Sequence, residues 1–220
     1  MTYVTGTLWR WRPGGRAGRA TSLTPMDPAS PPSSLPDPSP TIVVDGIRLR
    51  PLAPGDEAAV RAMQAELEAD GFDALLGEAG RDFTGIREAF AREARGDVDP
   101  RWVPASFLVG ADEAGDVVGR VSIRWELNAF LAHENGHVGY AVRPGFRRRG
   151  HATRLLRGAL ALLHTRGVET ALVTCGESNA GSAAAILACG GVLRDSVAAW
   201  PDGTPKPEPT LRFDVPTRPL

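Results

Sequence analysis

Residues 138–152 read Val-Gly-Tyr-Ala-Val-Arg-Pro-Gly-Phe-Arg-Arg-Arg-Gly-His-Ala, and this stretch decides how the rest of the chain is interpreted. The run 137–142 is rich in β-forming residues and predicts a short strand. After Gly150 the apolar residues recur at helical spacing, which predicts an amphipathic helix that ends at Gly167. The stretch is therefore a strand, an arginine-rich turn and the start of a helix.

The arginine-rich turn predicts a local anion site. Six arginines fall within residues 143–157, and no acidic residue occurs between Glu134 and Glu169, although the whole chain has a net charge of only −1. Free N–H groups and the helix dipole at a helix N-terminus favour a phosphate or diphosphate. Gly150 lets the backbone approach such an anion without a Cβ in the way. A solvated basic face or an RNA contact is the alternative interpretation.

Composition and motifs exclude several classes of protein. The chain has neither a P-loop GxxxxGK[ST] motif nor a GxGxxG motif after a strand. Its two cysteines, Cys175 and Cys189, lack the spacing of a metal site or disulfide framework, so we expect no metal and a cytoplasmic location. No apolar run is long enough for a membrane helix, and no apolar segment follows the N-terminal arginines, so neither a membrane partner nor a secretory signal is expected.

Proline positions predict the domain organisation. Of the 19 prolines, eight fall in 1–40 and six in 201–220. We expect 1–40 to be a disordered segment, 41–216 to be one folded domain and 217–220 to be a tail. Met26 is a candidate start site, so whether residues 1–25 belong to the natural protein is left open.

The hydrophobic pattern from Thr41 onward predicts a mixed α/β fold. The order is β-α-α-β-β-β-α-β-α-β-β, with one βαβ crossover around 137–175 and otherwise antiparallel hairpins. In the strand predicted over 117–125, Arg120, Ser122 and Arg124 share one face. The predicted strands are 47–52, 105–111, 117–125, 137–142, 170–175, 192–200 and 211–215, and the predicted helices begin near residues 56, 84, 151 and 179.

The turn motif resembles the acetyl-CoA signature of the GNAT N-acetyltransferase superfamily. That signature is [Q/R]xxGx[G/A], here Arg147-x-x-Gly150-x-Ala152 after a strand that ends in V-x-P. The resemblance covers about Ile47 to Val215 and implies a three-layer α/β/α fold with a splayed, mostly antiparallel mixed sheet. A bacterial group of predicted acetyltransferases is most similar, with R-x-x-L-N, G-H-x-G-Y and T-C-x-x-x-N motifs that match Arg124/Leu127/Asn128, Gly136/His137/Gly139/Tyr140 and Thr174/Cys175/Asn179.

The resemblance implies acetyl-CoA as the co-substrate. The strand 137–142 is expected to carry a bulge and to separate from strand 170–175, so that the pantetheine arm lies in the gap like an extra strand. The diphosphate is expected on N–H groups of the turn. The residues implied in this binding are Ala141, Val142, Arg143, Arg147, Arg148, Arg149, Gly150, His151, Ala152, Thr153 and Asn179.

The resemblance also implies direct attack of an amine on the thioester. His137 and Glu126 are the candidate bases, against the alternatives of a packed histidine and a solvated carboxylate. Relatives use a tyrosine as general acid where this chain has Ile186, so that role is vacant or taken by water. Cys175 is expected to be buried and inert. Arg124, Asn128 and Tyr140 are candidate substrate contacts, with a structural salt bridge as the alternative for the first two.

The sequence thus predicts acetyl transfer to a primary amine of a small molecule or peptide that it does not identify. A non-catalytic acyl-CoA-binding sensor of the same fold is the alternative function. No nucleic-acid partner is expected. Exposed edge strands near the C-terminus are compatible with a homodimer.

Overall fold

A computed structural model describes residues 40–219 of the chain. Its strands are β1 Ile42–Val44, β2 Ile47–Arg50, β3 Ala105–Ala111, β4 Val117–Arg124, β5 Val138–Val142, β6 Thr170–Gly176, β7 Val192–Ala199 and β8 Pro205–Pro216. Its α-helices are α1 Glu57–Glu68, α2 Phe83–Ala94, α3 Ala129–His133, α4 His151–His164 and α5 Ala180–Ala188. No helix within residues 40–219 has the length and apolar character needed to cross a membrane.

The eight strands form one open sheet. Their order is β1-β2-β3-β4-β5-β6-β8-β7, and every neighbouring pair is antiparallel except β5 and β6. Helix α4 connects the two parallel strands as the βαβ crossover that such a pair requires. The predicted mostly antiparallel mixed sheet is therefore confirmed.

Helices cover both faces of the sheet and give three layers. On one face α4 places Leu155, Leu156 and Leu163 in a cluster with β5 and β6 residues. On the other face α1 and α2 place Met63 and Ile86 in a second cluster. Full burial of one such side chain contributes about 2 kcal/mol. Because both faces are covered, β4 is buried along its whole length, including its polar positions.

The two parallel strands separate soon after they meet. Only Val138 and Val173 are paired between β5 and β6. The β4–β5 ladder runs from Ile123↔Val138 to Gly119↔Val142 without a register shift. The predicted separation of the strands is therefore present, but the predicted bulge is absent from β5. The gap opens towards the carboxyl ends of both strands.

Several element boundaries differ from the sequence predictions. Asp45 and Gly46, both with positive φ, form a tight turn that splits off an extra strand, β1. Strand β8 begins at Pro205, before the predicted residue 211. Its proline-containing start pairs only with β7, and it meets β6 only from Thr210, so the prolines can direct their missing N–H to the unpaired side. Helix α3 lies between the predicted strands 117–125 and 137–142, where no helix was predicted.

The predicted domain limits, residues 41 and 216, stay predictions, although contacts continue just past strand β8. Thr217 is buried and its hydroxyl donates to the Val168 carbonyl, so the fold extends one residue past 216. The segment predicted to be disordered lies outside the described residues except for its last position. Strand β7 is at the sheet edge with Val192 67% exposed, and the homodimer stays a prediction.

Candidate active site

The gap between β5 and β6 is lined by main-chain groups. Arg124 N–H donates to the His137 carbonyl (2.8 Å) and Arg143 N–H donates to the Val118 carbonyl (2.9 Å). Because alternate residues of an antiparallel strand face their partner, residues 137, 139, 141 and 143 face β4, and Tyr140 and Val142 direct their backbone into the gap. Among Ala141, Val142 and Arg143, which the resemblance implies in CoA binding next to the gap, Val142 alone has this orientation; Ala141 and Arg143 do not.

The turn after β5 exposes consecutive N–H groups. Arg148 and Gly150 adopt positive φ, 62° and 78°, and Gly150 is the N-cap of α4. Arg154 N–H donates to the Gly150 carbonyl (3.2 Å), which leaves the N–H groups of residues 150–153 without an acceptor inside the helix. A Cβ added to Gly150 would meet nothing within 4 Å, so the space beside the backbone is open. Such a concave row of amides fits a phosphate or diphosphate.

Two of the predicted arginines are held by acids at the C-terminal end of helix α1 and just beyond it. Arg143 Nε donates to Glu66 Oε2 (2.9 Å), and Arg147 forms an ion pair with Asp70 (2.9 Å). The hydrogen bond from Arg143 is the main cause that lowers the pKa of Glu66. Arg147 Nε also donates to the Val142 carbonyl (3.2 Å). These contacts brace the turn against α1.

The remaining residues of the turn have different surroundings. Arg148 and Arg149 are exposed, and the Arg149 guanidinium lies 5.9 Å from the Phe146 ring centre. His151 is buried and its Nδ1 has no hydrogen-bond partner among the described residues. Burial, with Arg154 nearby, lowers the pKa of His151. Ala152 and Thr153 are half-buried on the first turn of α4.

A second helix N-terminus borders the gap. Asn179 Oδ1 accepts from Ser182 N–H (3.0 Å) and so caps α5, which leaves its Nδ2 as the donor for a ligand. Tyr140, predicted as a substrate contact, is fully buried, with its hydroxyl 2.9 Å from Ser182 Oγ. Burial raises the pKa of Tyr140. The structure therefore places Tyr140 in a buried hydroxyl pair, and sequence reasoning missed Ser182.

The two candidate bases lie in different environments. His137 Nδ1 accepts from Leu172 N–H (2.9 Å), across the point where β5 and β6 meet. Burial lowers the pKa of His137, and the positive charges of Arg124 and Arg194 act in the same direction. Glu126 is exposed just after β4.

The predicted polar substrate contacts have structural partners. Asn128 Oδ1 accepts from Leu131 N–H (2.9 Å) and caps α3, while its Nδ2 donates to the Arg101 carbonyl (3.2 Å). Arg124 is buried and donates to the Gly136 carbonyl (3.0 Å). An asparagine followed by Ala-Phe-Leu-Ala is a helix-start signal that could have predicted α3.

The described residues include a buried cysteine, Cys175, next to the candidate site. Cys175 is fully buried, and burial raises the pKa of its thiol to about 11. Ile186 is also fully buried and belongs to the core. Residues 40–219 contain no group of three or more His, Cys, Asp or Glu that could hold a metal ion.

Known proteins share this architecture. An acetyltransferase from Agrobacterium tumefaciens is 22% identical, with a TM-score of 0.51 over 90% of this chain and 99% of its own. Mycobacterium smegmatis RimJ in complex with CoA-disulfide is 19% identical, with a TM-score of 0.59 over 81% and 86%. The microcin C7 self-immunity acetyltransferase MccE, in complex with acetyl-CoA and AMP, is 16% identical, with a TM-score of 0.58 over 78% and 93%. At these identities the likeness shows the fold.

Sequence comparison gives the family. No curated protein sequence matches the chain. The model of the acetyltransferase (GNAT) family matches residues 72–190, more than half of the chain, and includes the gap and the turn. The chain therefore belongs to the acetyltransferase (GNAT) family.

Proposed function

We propose that the chain transfers an acetyl group from acetyl-CoA to a primary amine. One observation carries the proposal: the gap between β5 and β6 opens beyond Val138 and leads to the amides at the start of α4. A V-shaped gap with outward N–H and C=O groups suits the amide-containing pantetheine arm, which can pair there like an added strand. The turn at its wide end suits the diphosphate.

Each part of the binding site has a role in this proposal. The amides of residues 150–153 hold the diphosphate, and exposed Arg148 and Arg149 add charge around it. The backbone of Tyr140 and Val142 holds the arm, and one of their N–H groups stabilises the oxyanion. Asn179 Nδ2 donates to the arm from the β6 side. Arg143 and Arg147 act through their ion pairs, which fix the turn relative to α1.

The reaction needs a base and a proton for the leaving thiolate. The amine nitrogen bonds to the acetyl carbon, the C–S bond breaks, the amine loses a proton and the thiolate gains one. The lone pair of His137 Nδ1 is engaged by Leu172 N–H, so Nε2 carries the proton in the neutral ring. His137 must break that bond to act as a base. Exposed Glu126, acting directly or through water, is the base we favour.

The sensor alternative rests on a separate observation. Ile186 is 0% exposed and lies in the core at the position where relatives have a tyrosine that acts as general acid. The hydroxyl of Tyr140 is already hydrogen-bonded to Ser182. A protein with the binding gap and no proton donor would hold acyl-CoA without turnover.

Calorimetry with CoA, combined with thiol release over a panel of amines, peptides and aminoglycosides, tests the proposal. We expect CoA binding and release of free thiol with at least one amine. Tight binding with no release on any acceptor would favour the sensor. RNA binding that depends steeply on salt and is not displaced by CoA would contradict both functions.

A further inference from the structure

Strand β4 carries an arginine that the proposed reaction does not use. Arg120 is 2% exposed on the sheet face covered by α1 and α2. Its guanidinium lies 5.0 Å from the Phe72 ring centre and 5.9 Å from that of Phe107. One of its terminal nitrogens donates to the Gly139 carbonyl at 3.3 Å. The Nε atom has no hydrogen-bond partner within residues 40–219.

Acids oppose the positive charge of Arg120 only weakly. Among the described residues, its hydrogen-bond acceptor is a backbone carbonyl and no carboxylate forms an ion pair with it. Asp73 is the acid whose charge reaches it, but both oxygens of Asp73 accept from the backbone N–H groups of Leu75 (3.1 Å) and Gly77 (2.5 Å). Burial, and then the charge of Arg124, lowers the pKa of Arg120 to about 9. At neutral pH the side chain is therefore a buried cation, which is costly without a counter-charge.

A second buried arginine lies beside the first. Arg124, four residues further along β4, is 3% exposed on the same face. Burial lowers its pKa to about 10, although the negative charge of Glu93 opposes this shift. A Cβ added to Gly139 would lie 3.6 Å from Arg120 Nη1 and 3.7 Å from Arg124 Nη2. The two guanidinium groups thus flank the one glycine of β5 whose missing side chain leaves room between them.

This pair lies next to the reaction gap. Gly139 follows Val138, the last residue of β5 that pairs with β6, and precedes Tyr140, whose backbone faces the gap. Two guanidinium groups on either side of one glycine complement the charge of a carboxylate or phosphate. An anion there would offset both the desolvation of Arg120 and its repulsion with Arg124.

We infer that Arg120, together with Arg124, binds an oxyanion of the acceptor, so that the acceptor is an amine that also carries a carboxylate or phosphate group. The inference rests on the proposed function, because it assigns the acceptor class at the same gap. Arg120 is then a specificity residue on the acceptor side, separate from the turn that holds the diphosphate.

Matched pairs of amines test the inference. Glycine is compared with glycinamide and phosphoethanolamine with ethanolamine, first by thermal shift and then by thiol release. The variants are Arg120→Met, Arg120→Lys and, as a control, Arg194→Met, which removes an exposed arginine that pairs with Asp214. Arg120→Met is expected to fold, because an apolar side chain replaces an unpaired buried charge.

The anionic member of at least one pair should raise the melting temperature of the wild type and be acetylated more efficiently. Arg120→Met should abolish the shift and lower kcat/KM for that acceptor roughly 10- to 100-fold, with unchanged CoA affinity. Arg120→Lys should retain part of both effects, and Arg194→Met all of them. A response to glycine indicates a carboxylate-bearing acceptor, and a response to phosphoethanolamine indicates a phosphate-bearing one.

The inference is overturned if neither anion raises the melting temperature, or if Arg120→Met responds as the wild type does. Because the thermal shift needs no turnover, it tests the anion site even if no amine is acetylated. If only the proposed function is wrong, no thiol is released, but the anion still raises the melting temperature and this increase still depends on Arg120.

Discussion

Gly150→Glu tests the turn that holds the diphosphate. Gly150 has φ of 78° and open space at its Cβ position, so a glutamate fits sterically but at a strained backbone. The strain costs about 1–2 kcal/mol. A carboxylate about 4 Å from the diphosphate adds roughly 4 kcal/mol of repulsion at a partly exposed site. We therefore expect the Kd for CoA to rise about 1,000-fold.

Gly167→Glu is the matched control, because Gly167 follows the same helix, has φ of 77° and also has nothing within 4 Å of its Cβ position. Both variants should lose similar unfolding free energy in urea, whereas calorimetry should show near wild-type CoA affinity for Gly167→Glu. Equal CoA affinities for the two variants would refute the assignment of the turn.

Three further predictions concern catalysis and stability. Glu126→Gln should lower kcat for thiol release at least tenfold without changing CoA affinity, and an unchanged kcat would remove Glu126 as base. Tyr140→Phe and Ser182→Ala should each cost about 1 kcal/mol of unfolding free energy, and the double variant should cost less than their sum, because they break one hydrogen bond; strict additivity would argue against that bond. Since burial lowers the pKa values of His137 and His151 in the folded state, stability present above pH ~6.5 should be lost as pH falls through the folded pKa values. In the double variant His137→Asn/His151→Asn, the unfolding free energy measured in urea should depend less on pH. An unchanged pH dependence would show that these two histidines are not its cause.

The sequence predicted the strands, helices and caps that depend on local hydrophobic periodicity and on glycine or capping residues. The strand 137–142, the helix ended by Gly167 and the cap at Asn179 are set by nearby residues, and all three are present. The Asp45-Gly46 turn is an equally local signal, since Asp-Gly between two apolar runs is typical of a hairpin, and it adds strand β1 to the predicted set. The prolines of β8 argue against an inner strand from sequence alone, but the early part of β8 pairs on one side only and tolerates them.

The sequence could not predict contacts between distant elements. Glu66 and Asp70 hold the arginines of the turn across 77 positions of sequence. The missing bulge depends on the β4–β5 register, which no local pattern reports. Strand alternation groups Arg120 with Ser122 and Arg124 on one face, but the lack of an ion pair at Arg120 becomes visible only when α1 and α2 cover that face.

Amide chemical shifts measured during a CoA titration test the central claim most directly. With ¹⁵N-labelled protein, the amides of residues 150–153 should move on addition of CoA, whereas pantetheine, which lacks the diphosphate, should move Tyr140 and Val142 only. If the amides of residues 150–153 stay in place at saturating CoA, the main chain at the start of α4 does not bind the diphosphate and the account is wrong.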